Sequence, residues 1–298
     1  MNPEITLIFC SIEPGMSRAS TETMLDRILA ARRLRLEQQK AVLPFAVLEA
    51  RAETAPAARD FVRELLGPDG LGKLTTGSES PRVIAELKKA SPSRGVIRRE
   101  YNPAVLAPSL ERAGAAAFSV LTEPDFFEGS LEDLALVCRL VERPVLRKDF
   151  ILERYQVVES RAAGADSFLL IAAILDDAAL AGLIAAGREL GMEALVEVHN
   201  GEELRRALGA GAKMVGVNNR DLKTFEVSLQ VSFELVDKIP ESCVAISESG
   251  IRSRDEVKRL QAAGFDAFLI GERLMEAQEP ASALSEFIGG ETTLRDKE

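Results

Sequence analysis

Several acidic, basic and amide side chains stand where apolar runs give out. "VIAELKK" carries Glu86 and Lys88, "PVLRKDF" carries Lys148, "ALVEV" carries Glu197, "GVNNR" carries Asn218 and Arg220, and "CVAISES" carries Glu248. Lysine and glutamate gathered in one pocket supply proton donors and acceptors whose strength burial and neighbouring charge can tune. The chain has a single histidine, His199, which rules out multi-histidine metal sites and makes a histidine-based triad a poor fit. Proton transfer then falls to Lys, Glu or Asp.

Such a pocket exists only if the runs are strands that end together. Short β-rich runs begin at residues 83, 117, 144, 167, 193, 214, 243 and 267, each separated from the next by one helix and two short loops. Several intervening helices close on the same phrase, "ERAGAAAF", "SRAAGADSF", "RALGAGAKM" and "LQAAGFDAF". Each places glycine at the left-handed turn that ends a helix. Repetition of one unit and strands alternating with helices predict an α/β fold, a (β/α)8 TIM barrel. An open doubly wound sheet fits less well, because no Gly-rich nucleotide turn follows the first strand.

A barrel restricts where charge is tolerated. Side chains alternate along each strand, and the inward set fills a packed core. Ile84, Glu86 and Lys88 share one face; so do Leu146 with Lys148, Leu195 with Glu197, Gly216 with Asn218 and Arg220, and Ile246 with Glu248. In each case the polar members lie toward the C-terminal end, where barrel enzymes carry their sites. Five strands ending in inward polar groups would be costly if unpaired and have little structural use. Arg147 and Asp149 face the other way and are expected to form a strand–helix salt bridge. His199 is expected to be a loop or cap residue.

An anion handle is expected after the last two strands. "SESG" holds Ser249 and Gly250, and "IGE" holds Gly271. These residues can offer backbone N–H groups and a hydroxyl at a helix start. "KKASPSRG", with Ser91, reads as a flexible loop able to fold over a substrate.

The net charge of −10, from 37 Lys+Arg against 47 Asp+Glu, argues against binding nucleic acid or an anionic membrane. It leaves room for a small anionic substrate held by local cations. The three cysteines have neither metal-like nor disulfide-like spacing, which points to a reducing compartment and no zinc. No run approaches the ~20 apolar residues of a membrane span. The expectation is a cytoplasmic protein, a monomer or weak homo-oligomer, with a disordered leader over 1–20 and one barrel domain over 21–288. That domain includes an N-terminal helical extension to about 80, and a short tail covers 289–298. Within the extension, helical periodicity over 22–50 is broken at Pro44, and a further helix is expected over 55–67.

Seven ordered segments carry a family resemblance: "VIAELKKASPSRGVI", "FSVLTEPDFFEGSLEDL", "PVLRKDFIL", "ALVEVHN", "GVNNRDLKTFEV", "SESGI" and "FLIGERLM". Together they resemble indole-3-glycerol-phosphate synthase over roughly residues 22–288, including the N-terminal helices. The resemblance implies ring closure in tryptophan biosynthesis, acting on 1-(2-carboxyphenylamino)-1-deoxyribulose 5-phosphate with loss of carbon dioxide and water and without metal or organic cofactor. It implies Lys148 as general acid and Glu197 as the glutamate that moves protons during dehydration. Lys88 would meet the substrate carboxylate, with Glu86 holding it. Asn218, Arg220 and Glu248 would orient substrate and lysines, while Ser91, Ser249, Gly250 and Gly271 would line the carboxylate or phosphate regions. One departure stands out: Arg273 replaces a small hydroxyl residue, and would either add a phosphate contact or point out along the last helix. Phosphoribosylanthranilate isomerase, a related barrel, is the enzymatic alternative, although it needs a cysteine or aspartate pair at strand ends. A non-catalytic phosphate-binding barrel is the other.

Overall fold

The computed structural model describes residues 23–67 and 80–289; the expected leader, residues 68–79 and the tail from 290 lie outside the described residues. Eight parallel strands close into a barrel: Arg82–Leu87, Ala117–Leu121, Val145–Lys148, Ser167–Ile171, Glu193–Val198, Met214–Asn218, Val244–Glu248 and Ala267–Ile270. Each pairs with its neighbours in sequence, and Arg82 lies opposite Ala267 where the first strand meets the eighth. The expected (β/α)8 barrel is therefore present, with strand starts within a residue or so of those read from the sequence. Lys88 is one residue beyond its strand rather than inside it.

Period-two alternation divides the apolar side chains into two cores. Ile84, Leu146, Leu169, Leu195, Met214, Ile246 and Leu269 fill the barrel interior. Val83, Phe118, Val145, Phe168, Val196, Val215 and Phe268 face outward beneath the helices. Burial of each such side chain contributes about 1.5–3 kcal/mol, enough to fix the face of every strand. The polar residues at the strand ends therefore share the interior face of one mouth.

Helix α1 (Met24–Val42) starts at a reciprocal cap between Thr23 and Asp26 and stops before Pro44, which caps α2 (Phe45–Thr54). Proline has no N–H to donate and disfavours helix in the residue before it. The helix expected over 55–67 shortens to α3 (Phe61–Leu66). Asp60 accepts the Arg63 N–H at its start, and Arg59 is drawn onto Asp166, 2.9 Å from Nε to Oδ2. Phe61 and Leu65 of α3 pack into the interior core from the end where Asp166 precedes the fourth strand.

Arg147 and Asp149 form the expected strand–helix bridge and extend it. Arg147 reaches Asp149 at 2.9 Å and Glu159, on the helix Arg154–Ala162, at 2.8 Å. Asp149 also receives Arg32 of α1 at 3.1 Å. This buried chain of charges ties α1 to the mouth of the barrel, where Leu25 and Ile28 of that helix join the cavity wall.

Candidate active site

A cavity of about 550 Å³ opens at the C-terminal mouth, and all eleven candidate residues line it. Lys148 is at its centre. Its Nζ is 3.0 Å from Glu197 Oε2 and 3.4 Å from Glu248 Oε2, so the ends of the third, fifth and seventh strands meet on one ammonium. Lys88 stands apart, paired with Glu86 at 2.7 Å. Residues separated by 49 and 100 positions in the chain are brought together only by barrel closure (197 − 148 and 248 − 148).

Burial acts against every charge here, and the partners decide the outcome. For Lys148, burial favours the neutral amine, but Glu197, Glu248 and Glu86 outweigh it and hold the ammonium well above the usual lysine range. Burial would raise Glu197, yet Lys148 and His199 draw it far below the usual carboxylate range. Glu86 is lowered likewise, by Lys88 and Lys148 against burial. Glu248 goes the other way. Burial, with Glu197 and Glu86 adding repulsion, pushes it up to about 7 despite Lys148. Among the described residues its Oε1 has no hydrogen-bond partner to offset that desolvation. Gly216 makes room for that oxygen: a Cβ there would lie 1.9 Å from Glu248 Oε1.

The remaining candidates form the rim. Asn218 Oδ1 accepts the Arg220 backbone N–H at 3.0 Å, and Arg220 Nη2 reaches Glu272 at 2.9 Å. Ser91 belongs to a short antiparallel ribbon, Ala90–Ser91 with Gly95–Val96, that overhangs the cavity. Ion pairs hold this loop: Lys89 to Glu128 at 2.7 Å, and Arg94 to Glu276. Ser249 and Gly250 both adopt left-handed backbone, with φ of 64° and 78°. Asn219 fixes that turn, its Nδ2 donating to the carbonyls of Glu248 at 2.9 Å and Ser249 at 3.1 Å. Arg273 lines the same cavity while remaining exposed, as does Arg252.

Several groups at the cavity carry no distinct signal in the sequence. Asn219 was hidden beside Asn218, because its side chain serves a neighbouring loop. Phe127 and Phe150, 6.1 Å apart between ring centroids, give the cavity an aromatic wall, yet their type reads equally well as core. His199, expected as a loop or cap residue, follows the fifth strand and bonds Glu203, but its ring also faces Glu197 at 3.4 Å. Among the described residues, no cluster of three His, Cys, Asp or Glu is arranged to hold a metal.

The geometry thus offers two lysines, two glutamates of low proton affinity and one of high affinity, with arginines at the rim, around an aromatic-walled cavity. The family model for indole-3-glycerol phosphate synthase matches residues 25–287. The chain belongs to this family. An indole-3-glycerol phosphate synthase from Albidiferax ferrireducens is 47% identical over 263 residues, covering 88% of this chain and 97% of that protein. One from a Roseiflexus species is 45% identical over 277 residues, covering 90% and 99%. As a member of the indole-3-glycerol phosphate synthase family, the chain is a carboxy-lyase of tryptophan biosynthesis acting on a phosphorylated small molecule.

Solved structures share the fold at much lower identity. The 3-hexulose-6-phosphate synthase of Salmonella typhimurium superposes with a TM-score of 0.57 at 16% identity, covering 70% of this chain and 97% of that one. A tryptophan synthase α-subunit from Pyrococcus furiosus gives 0.55 at 14% identity, covering 71% and 99%. No helix among the described residues is long and apolar enough to cross a membrane.

Proposed function

We propose that the mouth cavity closes the indole ring of 1-(2-carboxyphenylamino)-1-deoxyribulose 5-phosphate, with Lys148 as general acid. The observation that carries this reading is the convergence of Glu197 and Glu248 on Lys148 Nζ, at 3.0 and 3.4 Å, inside the cavity. The aromatic carbon bearing the carboxylate attacks the ketose carbonyl. As that bond forms, the carbonyl oxygen takes a proton from the Lys148 ammonium and becomes a hydroxyl. Carbon dioxide then leaves, its bonding pair restoring the aromatic ring.

Dehydration completes the product. The new hydroxyl departs as water with a proton from an ammonium, the role given to Lys88. Glu197 removes a proton from the adjacent ring carbon, and a double bond forms between the two carbons. Glu197 starts ionised and able to accept a proton, and Lys148 starts charged and able to donate one, while their pairing makes each a weaker base or acid than it would be alone. Such general acid–base steps typically contribute ~10²–10⁴-fold, and holding the two reacting carbons in attack geometry contributes further.

The rest of the wall supports binding at both ends of the substrate. Phe127 and Phe150 suit its aromatic ring; Lys88 and Arg220 suit its carboxylate. Ser91, Ser249, Gly250 and Gly271 suit the carboxylate and phosphate regions, with Asn218 and Glu248 orienting the lysines and substrate. The test is indole fluorescence developed by the purified chain from the carboxyphenylamino substrate. Turnover of the preceding ribosyl compound, with none of the carboxyphenylamino substrate, would overturn the reading.

A further inference from the structure

The chain's only histidine stands behind Glu197 with a carboxylate on each ring nitrogen. His199 Nε2 is 3.4 Å from Glu197 Oε1, and Nδ1 is 3.0 Å from Glu203 Oε2. Glu203 accepts the His199 backbone N–H as well, at 2.8 Å, and its other oxygen accepts from Asn200 Nδ2 at 2.7 Å. The ring is therefore clamped from the helix Gly201–Gly209, while Glu197 projects from the fifth strand. Its side chain is only 13% exposed and does not line the cavity.

A neutral imidazole has one N–H and one lone pair. With an anion before each nitrogen, the neutral ring would turn its lone pair toward a carboxylate. The doubly protonated ring faces each anion with an N–H, hydrogen-bonded to Glu203 and ion-paired with Glu197 at a distance that still lacks hydrogen-bond geometry. Groups facing it are Glu197 from the fifth strand, Glu203 from the helix Gly201–Gly209 and Asp221 from the loop after the sixth strand; Lys148 lies on the far side of Glu197. Burial opposes the charge, but Glu197 and Glu203 outweigh it and push the imidazole up to about 10. Charges alternate along Lys148, Glu197, His199 and Glu203, and each oxygen of Glu197 has its own cation.

We propose that His199 is a positioning residue whose imidazolium holds Glu197 so that its second oxygen is presented to Lys148 and the substrate. This rests on the role given to Glu197 above. Without the cation behind it, Glu197 keeps Lys148 and Asn218 but loses one of its two cations and gains freedom to turn. The proton-transfer steps then slow, whereas the anion contacts that bind substrate stay in place. The expected signature is a loss in kcat with KM preserved.

A lone histidine makes the test direct, because its ring signals in the tag-free full-length chain need no assignment. Followed by NMR against pH, His199 is expected to remain cationic at pH 8, with a midpoint above about 9, and to lose at least about one pH unit of that midpoint in Glu197→Gln. In His199→Gln, kcat is expected to fall ~10–100-fold with KM within about twofold, the scale of other outer-layer supports. A midpoint near the ordinary ~6.5, unmoved by Glu197→Gln, overturns the proposal even if His199→Gln does not fold. So does a normal kcat in a folded His199→Gln. Full turnover by Glu197→Gln would defeat the catalytic reading of Glu197 and the positioning proposal together. Lost turnover there, with an unshifted midpoint and normal kcat in His199→Gln, would defeat positioning alone.

Discussion

Gly271 and Glu86 touch across the seam where the barrel closes: a Cβ on the glycine would lie 2.4 Å from Glu86 Oε1. The first and eighth strands are hydrogen-bonded neighbours there, with Ala85 opposite Ile270. The carboxylate that holds Lys88 thus occupies space that any other residue at 271 would fill. Gly271→Ala is expected to destabilise the chain by about 1–3 kcal/mol, the usual cost of overpacking. It is also expected to lower kcat at least ~10-fold by moving Glu86 off Lys88. Urea unfolding and steady-state kinetics measure the two effects.

Asp149 is the keystone between α1 and the barrel. It receives Arg32 at 3.1 Å, Arg147 at 2.9 Å and the Thr122 hydroxyl at 2.6 Å, all within the interior. Asp149→Ala leaves two buried guanidinium groups without this anion, and a loss of roughly 3–5 kcal/mol is expected. The exposed Arg35–Asp125 pair supplies the contrast. Arg35→Ala should cost no more than about 1 kcal/mol. Denaturant midpoints compare the two, and equal losses would contradict this account.

Glu248 predicts how stability changes with pH. Its carboxyl is pushed from the ordinary 4.5 up to about 7, mainly by burial. Between those values the folded state binds more protons than the unfolded one, so this group's contribution falls as pH rises and is level above about 7. Glu248→Gln cannot ionise and should therefore gain on the wild type as pH climbs from 4.5 to 7. Thermal midpoints of both proteins across that window check the sign. A wild type that gains on the variant over the same interval would reverse it.

The barrel was legible because its signals are periodic. Near-equal spacing identifies the units, and alternation along each strand identifies the inward face, so the pattern alone groups Lys148, Glu197 and Glu248, which meet in the structure. The alternation runs one step further: Leu195, Glu197 and His199 share parity, and the histidine faces the glutamate. Other features carry no local signal. Whether Phe127 and Phe150 wall a cavity or fill a core depends on what lies opposite them. The shortening of α3 depends on Arg59 finding Asp166, 107 residues away. The space reserved by Gly216 and Gly271 for two carboxylates depends on strand register, which no stretch of sequence records.

Donation of the ring-closing proton by Lys148 is the central claim, and Lys148→Ala tests it most directly. The variant should stay folded and bind the indole product within a few-fold of the wild type, while indole formation under saturating substrate drops by ~10²–10⁴-fold. Indole formation within tenfold of the wild type, in a folded variant that still binds product, would contradict the account.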